Sequence, residues 1–403
     1  MEEWKTYRIG DICESVSETY RRGSASVVLV NTSDVLNGVC LNHTRVENKD
    51  LKGQFKKTFK RDDILYSEIR PTNKRFAYID FDPTDYIAST KLMVIRSSDK
   101  VRPRYLFHFL KRQEMLDELQ VLAESRSGTF PQITFSELAL FEIRLPSLEA
   151  QDRIVATIDS FENKIALNSR INHNLENMAQ ALYKSWFIDF EPFKDGQFTD
   201  SEMGIIPKGW RVGELSELGD VVAGGTPSKA KPEYYTNNGI AWLTPKDLSV
   251  KCNKFTARGE TDITEDGYRN SSAKLMPRGS VLFSSRAPIG YISIAKGDIC
   301  TNQGFKSVVP TYAGTAYVYY WLRENTGAIE SQASGSTFKE ASGSLMKSFP
   351  ALIPEKSVLD SFERELTPIL NEQEILEEEI YYAERIRDSL LPLLMSGELV
   401  MNC

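Results

Sequence analysis

The sequence predicts an α+β fold made of two similar globular modules in tandem, each followed by a long helix. Trp4 and Trp210 open similar strings, with aliphatic residues five and eight positions after each tryptophan. Farther along, Gly128-Thr129-Phe130 is matched by Ser336-Thr337-Phe338, 208 positions later. This duplication predicts two modules related by a pseudo-two-fold axis, an arrangement suited to a target with two half-sites.

The length of the chain is that of two or three domains. Its 403 residues divide, where the pattern changes, into a first module at 1–147, a helical region with a linker at 148–206, a second module at 207–354 and a C-terminal helical region at 355–403. The Gly- and Pro-containing stretch 190–209 lacks periodicity and is the predicted linker. Hydrophobic residues make up 41% of the chain, so each module can bury a core.

Short strands and one helix are predicted in each module. Apolar runs bounded by turn residues indicate buried strands. The predicted strands are 27–30, 64–66 and 92–95 in the first module and 240–243, 281–283 and 306–309 in the second. The predicted helices are 103–122 and 316–329.

The two helical regions show a heptad pattern. Apolar residues recur every three or four positions over 154–182 and 362–394, interrupted by Asn168 and Asn172 in the first and by Gln373 and Arg387 in the second. A helix of 30 to 40 residues spans roughly 45 to 60 Å. We therefore expect two long antiparallel, coiled-coil-like helices with the modules at opposite ends. The alternative is that each helix packs on its own module as an ordinary amphipathic helix.

The net charge of −7 is spread unevenly. Lys and Arg number 23 against 21 Asp and Glu in 1–146, and 17 against 13 in 207–354. The helical regions are acidic, with 5 against 10 in 147–206 and 4 against 12 in 355–403. One interpretation is that solvated helices are simply rich in Glu. The other is that the basic modules contact an anion while the helices contact something else.

Several classes of protein are disfavoured by what the sequence lacks. No run of 18 apolar residues predicts a transmembrane helix, and the first residues do not resemble a signal peptide. The five cysteines are odd in number and without a C-x-x-C pair, which disfavours a disulfide framework or a zinc site. We expect a cytoplasmic protein with no membrane segment and no metal site.

A catalytic set is also not recognisable in the sequence. The closest approach to the N-P-P-Y string of a DNA methyltransferase is Asp82-Pro83-Thr84-Asp85, which lacks the second proline and the aromatic residue. Asp34 with Glu47-Asn48-Lys49 fits the acidic cluster of a nuclease only loosely, and the second module has no counterpart. We therefore expect no catalytic residues, and the chain is predicted to bind rather than to react.

Polar and basic loops stand in parallel positions of both modules. Arg and Asn can bind guanine and adenine bidentately, whereas Lys and Ser more often contact phosphates. The predicted DNA-binding residues are Lys56, Lys57, Arg70, Asn73, Lys74, Arg75, Thr129 and Gln132 in the first module, and Thr244, Lys246, Ser284, Arg286, Ser336 and Lys339 in the second. For each cation the alternative is a solvated surface charge, and for the Gly, Ser and Thr residues it is ordinary turn chemistry.

Five strings give the chain a family resemblance. They are G-G-T-P-S-K-A-K-P-E-Y-Y-T-N-N-G-I-A-W-L-T-P-K-D-L at 224–248, T-N-Q-G-F-K at 301–306, S-G-S-T-F-K-E at 334–340, W-F-I-D-F-E-P-F at 186–193 and S-G-E-L at 396–399. With these strings the chain resembles the specificity (S) subunits of type I restriction-modification systems. The first module is more divergent: its 89–92 stands where the second module has 302–305.

The resemblance implies a function and a set of partners. Each module would be a target recognition domain that reads one half of a split double-stranded DNA site, with half-sites about 34 Å apart. The helices would set that spacing and dock two modification (M) subunits, and their polar residues Asn168, Asn172 and Gln373 are the predicted partner contacts. S-adenosylmethionine, ATP and Mg²⁺ would belong to partner subunits, with restriction (R) subunits adding cleavage, and this chain would carry no cofactor. The alternatives are a self-sufficient methyltransferase or nuclease, and a scaffold whose modules bind protein.

Overall fold

The structure is a computed structural model that describes residues 4–21, 23–49, 53–126, 130–250, 253–335 and 339–399. Contacts divide the chain into two compact units. Unit 1 comprises Met1–Ile165 and Tyr382–Cys403, and unit 2 comprises Ala166–Tyr381. Each unit therefore holds one globular module together with parts of both long helical regions.

In the first half of the chain, the described residues form twelve strands and four α-helices. The strands are β1 Lys5–Arg8, β2 Cys13–Val16, β3 Ser26–Val30, β4 Val35–Leu36, β5 Val39–Cys40, β6 Arg45–Glu47, β7 Phe55–Lys57, β8 Ile64–Ser67, β9 Phe76–Tyr78, β10 Tyr86–Ser89, β11 Leu92–Ser97 and β12 Glu142–Leu145. The helices are α1 Pro103–Leu110, α2 Gln113–Arg126, α3 Phe135–Leu138 and the long α4 Leu148–Phe187.

The second half repeats this succession with additional short elements. The strands are β13 Phe198–Ser201, β14 Gly204–Pro207, β15 Arg211–Glu214, β16 Gly219–Ala223, β17 Tyr235–Thr236, β18 Trp242–Leu243, β19 Phe255–Thr256, β20 Asp262–Ile263, β21 Val281–Ser285, β22 Ile289–Ala295, β23 Cys300–Thr301, β24 Lys306–Pro310 and β25 Pro350–Ile353. The helices are α5 Leu215–Leu218, α6 Pro245–Val250, α7 Glu265–Arg269, α8 Thr315–Gln332, α9 Gly343–Lys347 and the long α10 Lys356–Ser396.

Strand pairing confirms that the two modules are copies of one topology. The first strand of each module pairs antiparallel with the last, as β1 with β12 and β15 with β25. The main sheet has the order β2-β11-β8-β9 in unit 1 and β16-β24-β21-β22-β19 in unit 2. The modules also differ: the first has a second four-stranded sheet of order β6-β3-β10-β7, whereas the second has the two-stranded pairs β17-β20 and β18-β23 and adds β19, which runs parallel to β22. The predicted α+β class and the internal repeat are both correct.

Two local predictions need correction. The predicted helix 103–122 is two helices, because Lys111 and Arg112 interrupt it between α1 and α2. The break changes the phase of the helix, so that Met115, Leu116 and Leu119 of α2 reach the core that α1 already contacts. The predicted strand 240–243 shrinks to β18, preceded by an isolated bridge at Ile240.

The predicted linker 190–209 is an ordered structure. After α4 it forms a short 3-10 helix, Glu191–Phe193, and a hairpin of β13 with β14. The rings of Phe190 and Phe193 lie 5.6 and 5.0 Å from that of Trp210. The aromatic residues of this stretch bury against Trp210, which holds the start of the second module to the end of α4.

The other module-opening tryptophan has the equivalent position in unit 1. Gly397 follows the end of α10 with φ +80°, and a Cβ there would lie 2.7 Å from the ring of Trp4. Arg144 also contacts both sides of this junction, through the Trp4 ring and the carbonyl of Ser396 at 3.4 Å. Each tryptophan therefore marks the contact between a module and the C-terminal end of a long helix.

The heptad seam of the long helices is their buried face. In unit 1, Ile154 and Ile158 of α4 share a core with Leu391 and Leu394 of α10. In unit 2, Asn168 Nδ2 donates to Glu379 Oε2 at 2.8 Å, and Gln373 Nε2 donates to the Asn172 carbonyl at 3.4 Å. Later residues of α4 thus meet earlier residues of α10, so the two helices run antiparallel, as predicted. No helix within the described parts of the chain has the length and apolar character to cross a membrane.

Candidate nucleic-acid interface

Three loops of unit 1 meet at Glu68, the residue that follows β8. Its N–H donates to the Lys91 carbonyl at 3.1 Å, and its own carbonyl accepts from the N–H of Ile133 at 2.8 Å. Arg70 adds a backbone bond to the Pro131 carbonyl at 3.2 Å. The loop after β8, the turn between β10 and β11, and the loop before α3 therefore form one surface, which we call the three-loop junction.

Unit 2 contains the same junction. Ser285, at the end of β21, donates its N–H to the Gly304 carbonyl at 2.7 Å and accepts from the N–H of Ala341 at 2.9 Å. Ser285 is thus equivalent to Glu68, and Gly304 to Lys91. The predicted alignment of 89–92 with 302–305 is confirmed by these backbone bonds. The sequence predicted the loops singly and did not predict that they would meet.

The loop after β8 presents its polar residues through an uncommon backbone. Arg70 and Lys74 both lie in the left-handed region, with φ of 44° and 54°, on either side of a 3-10 turn. Asn73 N–H donates to the Arg70 carbonyl at 2.9 Å, which closes the turn. Arg70, Asn73 and Lys74 are exposed, whereas Arg75 is half-buried and donates to the Ser33 carbonyl at 3.1 Å. Arg70, Asn73 and Lys74 are therefore available to a ligand, whereas Arg75 is bonded within the module.

Lys91 is a candidate contact that the sequence argument missed. Its Nζ donates to Gln132 Oε1 at 3.1 Å and lies 3.7 Å from a carboxylate oxygen of Glu68, with half of its side chain exposed. Gln132, a predicted contact, is thereby joined to the loop after β8. The signal in the sequence was the divergence between the modules at this position, where the second module has Gly304.

In unit 2 the junction has one carboxylate between two cations. Glu340 lies 3.5 Å from Arg286 Nη1 and 3.2 Å from Lys306 Nζ. Arg286 remains 37% exposed, whereas Lys306 is buried and also reaches the Gln303 carbonyl at 3.4 Å. Arg286 can therefore exchange a long contact with Glu340 for a ligand. Glu340 and Lys306 were not among the predicted site residues.

Three predicted contacts have internal roles instead. Ser284 is buried; its hydroxyl donates to the Pro288 carbonyl at 2.8 Å and accepts from the N–H of Tyr291 at 2.7 Å. The Thr244 hydroxyl donates to Asp247 at 2.7 Å at the start of α6. Lys57 Nζ donates to the carbonyls of Thr90 and Leu92 at 3.1 and 2.8 Å, and burial lowers its pKa. Their polar atoms are bonded within the module, so these three assignments are withdrawn.

The remaining predicted residues lie at the surface or outside the described residues. Lys56 is exposed. Lys246 is 3.4 Å from Glu260, and Lys339 Nζ is 3.5 Å from the Glu330 carbonyl. Thr129 and Ser336, which belong to the Gly/Ser/Thr loops, lie outside the described residues.

Part of the acidic charge of the helices is paired with the modules themselves. In unit 1, Arg104 Nε lies 3.1 Å from Asp159 and Lys111 is bonded to Glu162. His108 Nε2 lies 2.8 Å from Asp159 Oδ1. The ligand atoms of His108, Asp159 and Glu162 are all within 4.8 Å of one another. Because Arg104 and Lys111 neutralise the same carboxylates, we interpret the group as an ion-pair cluster rather than a metal centre.

The polar residues of the heptad seam are not available to a partner. Asn168 and Gln373 are 6% and 1% exposed and are bonded to Glu379 and Asn172 as described above. Asn172 is half-buried, with its Oδ1 enclosed. Interior bonds use the side chains of Asn168 and Gln373, and the Asn172 Oδ1 is enclosed without a partner among the described residues, which corrects their assignment as partner contacts.

Each long helix also carries exposed apolar residues outside the heptad seam, which the sequence analysis did not predict. On α4, Leu167, Ile171 and Met178 are 47%, 37% and 55% exposed, at helical spacing. On α10 the exposed residues at the same kind of spacing are Ile375, Tyr382, Ile386 and Leu393. Leu167 and Met178 stand 208 positions before Ile375 and Ile386, the offset of the module repeat. We call these the two outer rows.

Comparison with known proteins places the duplication in a family. The family model "Type I restriction modification DNA specificity domain" matches residues 1–177 and 207–377. The HindI specificity subunit of Haemophilus influenzae is 32% identical over 463 aligned residues, covering 99% of this chain and all of that protein. The MjaIX specificity subunit of Methanocaldococcus jannaschii is 37% identical over 191 residues, covering 45% and 44%.

A solved structure shares the fold. The crystal structure of the type I restriction-modification system S subunit from M. genitalium superimposes with a TM-score of 0.63 at 13% identity, covering 100% of this chain and 97% of that one. At that identity the likeness concerns the fold alone.

Proposed function

The chain belongs to the specificity subunits of type I restriction-modification systems, and we propose that each of its two modules reads one half of a bipartite double-stranded DNA site. The observation that carries this proposal is the three-loop junction, which has the same backbone bonds around Glu68 and Ser285 but different side chains. Two equivalent surfaces with different side chains suit two different half-sites.

The chemistry of the junctions fits DNA. Arg70 and Arg286 present guanidinium groups that can bind guanine O6 and N7 bidentately. Lys74 and Lys56 are exposed ammonium groups that suit phosphates, which fix the register of a protein on the duplex. Gln132 can bind adenine when Lys91 moves to a base or a phosphate.

Chemistry on the DNA is assigned to partner subunits. We propose that two M subunits bind S-adenosylmethionine and methylate adenine, and that R subunits use ATP and Mg²⁺ for translocation and cleavage. This chain then selects the sequence and carries no catalytic residue. Because the substrate is genomic DNA, we place the complex in the cytoplasm.

The long helices are proposed to set the spacing of the half-sites and to dock the M subunits. The outer rows support the second role, because exposed apolar residues at helical spacing are the pattern that a partner helix covers. The repetition of Leu167 and Met178 as Ile375 and Ile386 supports two equivalent docking positions.

Sequencing of modified bases in the source cell, with and without this gene, tests the proposal. We expect methylated adenine at a split motif that disappears when the gene is deleted and returns with a plasmid copy. A second arm incubates the purified chain alone with DNA, labelled S-adenosylmethionine and Mg²⁺. Methyl transfer or cutting by the chain alone would support the alternative of a self-sufficient methyltransferase or nuclease and overturn the proposal.

A further inference from the structure

Lys254 is a buried cation that joins the second module to both long helices within unit 2. Its side chain is 7% exposed. Its Nζ lies 2.5 Å from Glu176 Oε2 on α4, 2.7 Å from Gln373 Oε1 on α10 and 2.7 Å from the Tyr320 hydroxyl on α8. An ammonium group has three N–H bonds, so each of them is directed to a different helix.

The backbone at Lys254 is also bonded to α10. The N–H groups of Lys254 and Phe255 donate to the two carboxylate oxygens of Glu377 on α10, at 2.8 and 3.2 Å. On the other side, the Lys254 carbonyl accepts from the N–H of Ile294 at 2.7 Å and from the Ser293 hydroxyl at 3.1 Å. The residue therefore connects the edge of the module's main sheet directly to the helices.

The Lys254 ammonium is enclosed by aromatic and charged side chains and is largely shielded from water. The rings of Tyr319 and Tyr320 lie 4.8 and 4.9 Å from Nζ, a distance suited to cation–π attraction. Glu176 also binds Arg323 of α8. Removing one member of such a buried group leaves an opposite charge buried without compensation, which is strongly destabilising.

Hydrogen bonds and ion pairs fix the orientation of one element on another more strictly than apolar packing does. Apolar side chains tolerate small rotations of one element on another, whereas buried polar groups hold a single register because any other leaves them unpaired. Arg278 and Lys296 also pair with Glu374 and Glu378 of α10, but each of these pairs has one half-exposed member, which weakens it relative to the enclosed group. The orientation is therefore decided at the buried group.

We propose that Lys254 is a positioning residue that fixes the orientation of the second recognition module on α4 and α10, and thereby helps to set the spacer between the two DNA half-sites. The inference rests on the proposed function. Lys254 itself need not touch DNA, and the bases read by the module do not depend on it. Its removal should change which spacer lengths are accepted while leaving the half-site sequences unchanged.

The test compares spacer selection in full complexes. Lys254→Met, which keeps the length and apolar stem of the side chain, is expressed with the partner subunits in a cell that lacks this gene, and modified adenines are mapped. A misplacement of about 1 Å can cost about a hundredfold in rate. We therefore expect methylation at the native spacer to fall, so that the ratio of methylation at motifs one base pair shorter or longer to methylation at the native spacer rises by up to about a hundredfold.

Two further variants keep the test decisive. Lys194→Met is the matched control, because the Lys194 side chain is more than half-exposed and pairs at 2.7 Å with Glu191, three residues before it; its spacer ratio should stay at the wild-type value. Tyr320→Phe removes one hydroxyl from the buried group while retaining its ring, and should raise the ratio in the same direction by a smaller factor even if Lys254→Met does not fold. Thermal unfolding of each variant reports its folded state.

The outcomes separate the two proposals. A wild-type strain without a split motif would overturn the proposed function. A wild-type split motif combined with unchanged spacer ratios in the folded variants, or with methylation lowered equally at all spacers, would overturn the positioning role alone.

Discussion

At the scale of single residues, equivalent positions keep the backbone and change the side chain. The Lys91 carbonyl accepts the N–H of Glu68, which follows β8, and the Gly304 carbonyl accepts the N–H of Ser285, which ends β21. A Cβ on Gly304 would lie 2.9 Å from Asn302 Oδ1 and 3.0 Å from Pro245, so a side chain there would require these two side chains to shift. Unit 1 fills the same position with a cation. Such exchanges allow one fold to present two different reading surfaces.

Arg286 gives a direct prediction for the second half-site. Arg286→Ala should weaken binding to DNA carrying the cognate second half-site by about 1–3 kcal/mol, if the guanidinium binds a guanine bidentately. Fluorescence anisotropy with oligonucleotides altered in one half-site at a time measures this. The control is Arg269→Ala, an exposed arginine on α7 paired at 3.9 Å with Glu265. Unchanged affinity and base preference in Arg286→Ala would remove it from the interface.

His108 predicts a pH dependence of stability. The imidazole is fully buried with its Nδ1 unpartnered among the described residues. Burial lowers its pKa from the ordinary 6.5, although the Asp159 hydrogen bond opposes this. Above pH 6.5 both folded and unfolded chains carry neutral imidazole. Below pH 6.5 the unfolded chain takes up the proton more readily than the folded chain. The free energy of unfolding should therefore decrease as the pH is lowered, by up to about 1.4 kcal/mol per pH unit.

Thermal unfolding at pH 7.5 and 5.5 checks the role of this histidine. His108→Gln, which retains a donor for Asp159, should show a smaller loss of Tm between the two values than the wild type. His173→Gln replaces an exposed histidine on α4 and should retain the wild-type loss. An identical loss in His108→Gln and wild type would show that other groups govern this pH range.

At the scale of elements, the long helices have two apolar faces with different tasks. The heptad seam forms the cores that Ile154 and Phe362 share with their own units. The outer rows remain exposed, as Leu167 and Met178 show. A helix needs only the first face to be stable, so the second indicates a surface for another chain.

Charge on the outer row of α4 should interfere with assembly and spare the fold. The double variant Leu167→Glu with Met178→Glu should weaken binding of an M subunit by about 2–4 kcal/mol, the range of interface hot spots. Light scattering after co-purification would then show one M subunit per chain instead of two. Asn177→Glu, at an exposed position on a different side of the same helix, should keep the wild-type stoichiometry. Full assembly of the double variant would contradict docking at this row.

At the scale of the whole molecule, the uneven charge has an explanation that the sequence did not offer. Some of the acidic residues of the helices bind basic residues of the modules, as Asp159 binds Arg104 and Glu176 binds Lys254. These pairs occur within each unit and hold a module to its helices. The cations at the three-loop junctions are therefore only part of the positive charge, and it is that part which we assign to DNA.

The duplication, the main strands, the heptad seam and the family could all be predicted from the order of the amino acids, because each is a local pattern or a repeat. It also aligned Lys91 with Gly304 correctly. Which polar groups are available to a ligand depends on contacts between distant parts of the chain and could be seen only after folding. Lys57 is bonded to residues more than 30 positions away, and Lys254 to residues 78 and 119 positions away. Composition and spacing identify a cation in the sequence. They do not identify the carbonyl or carboxylate that folding places beside it.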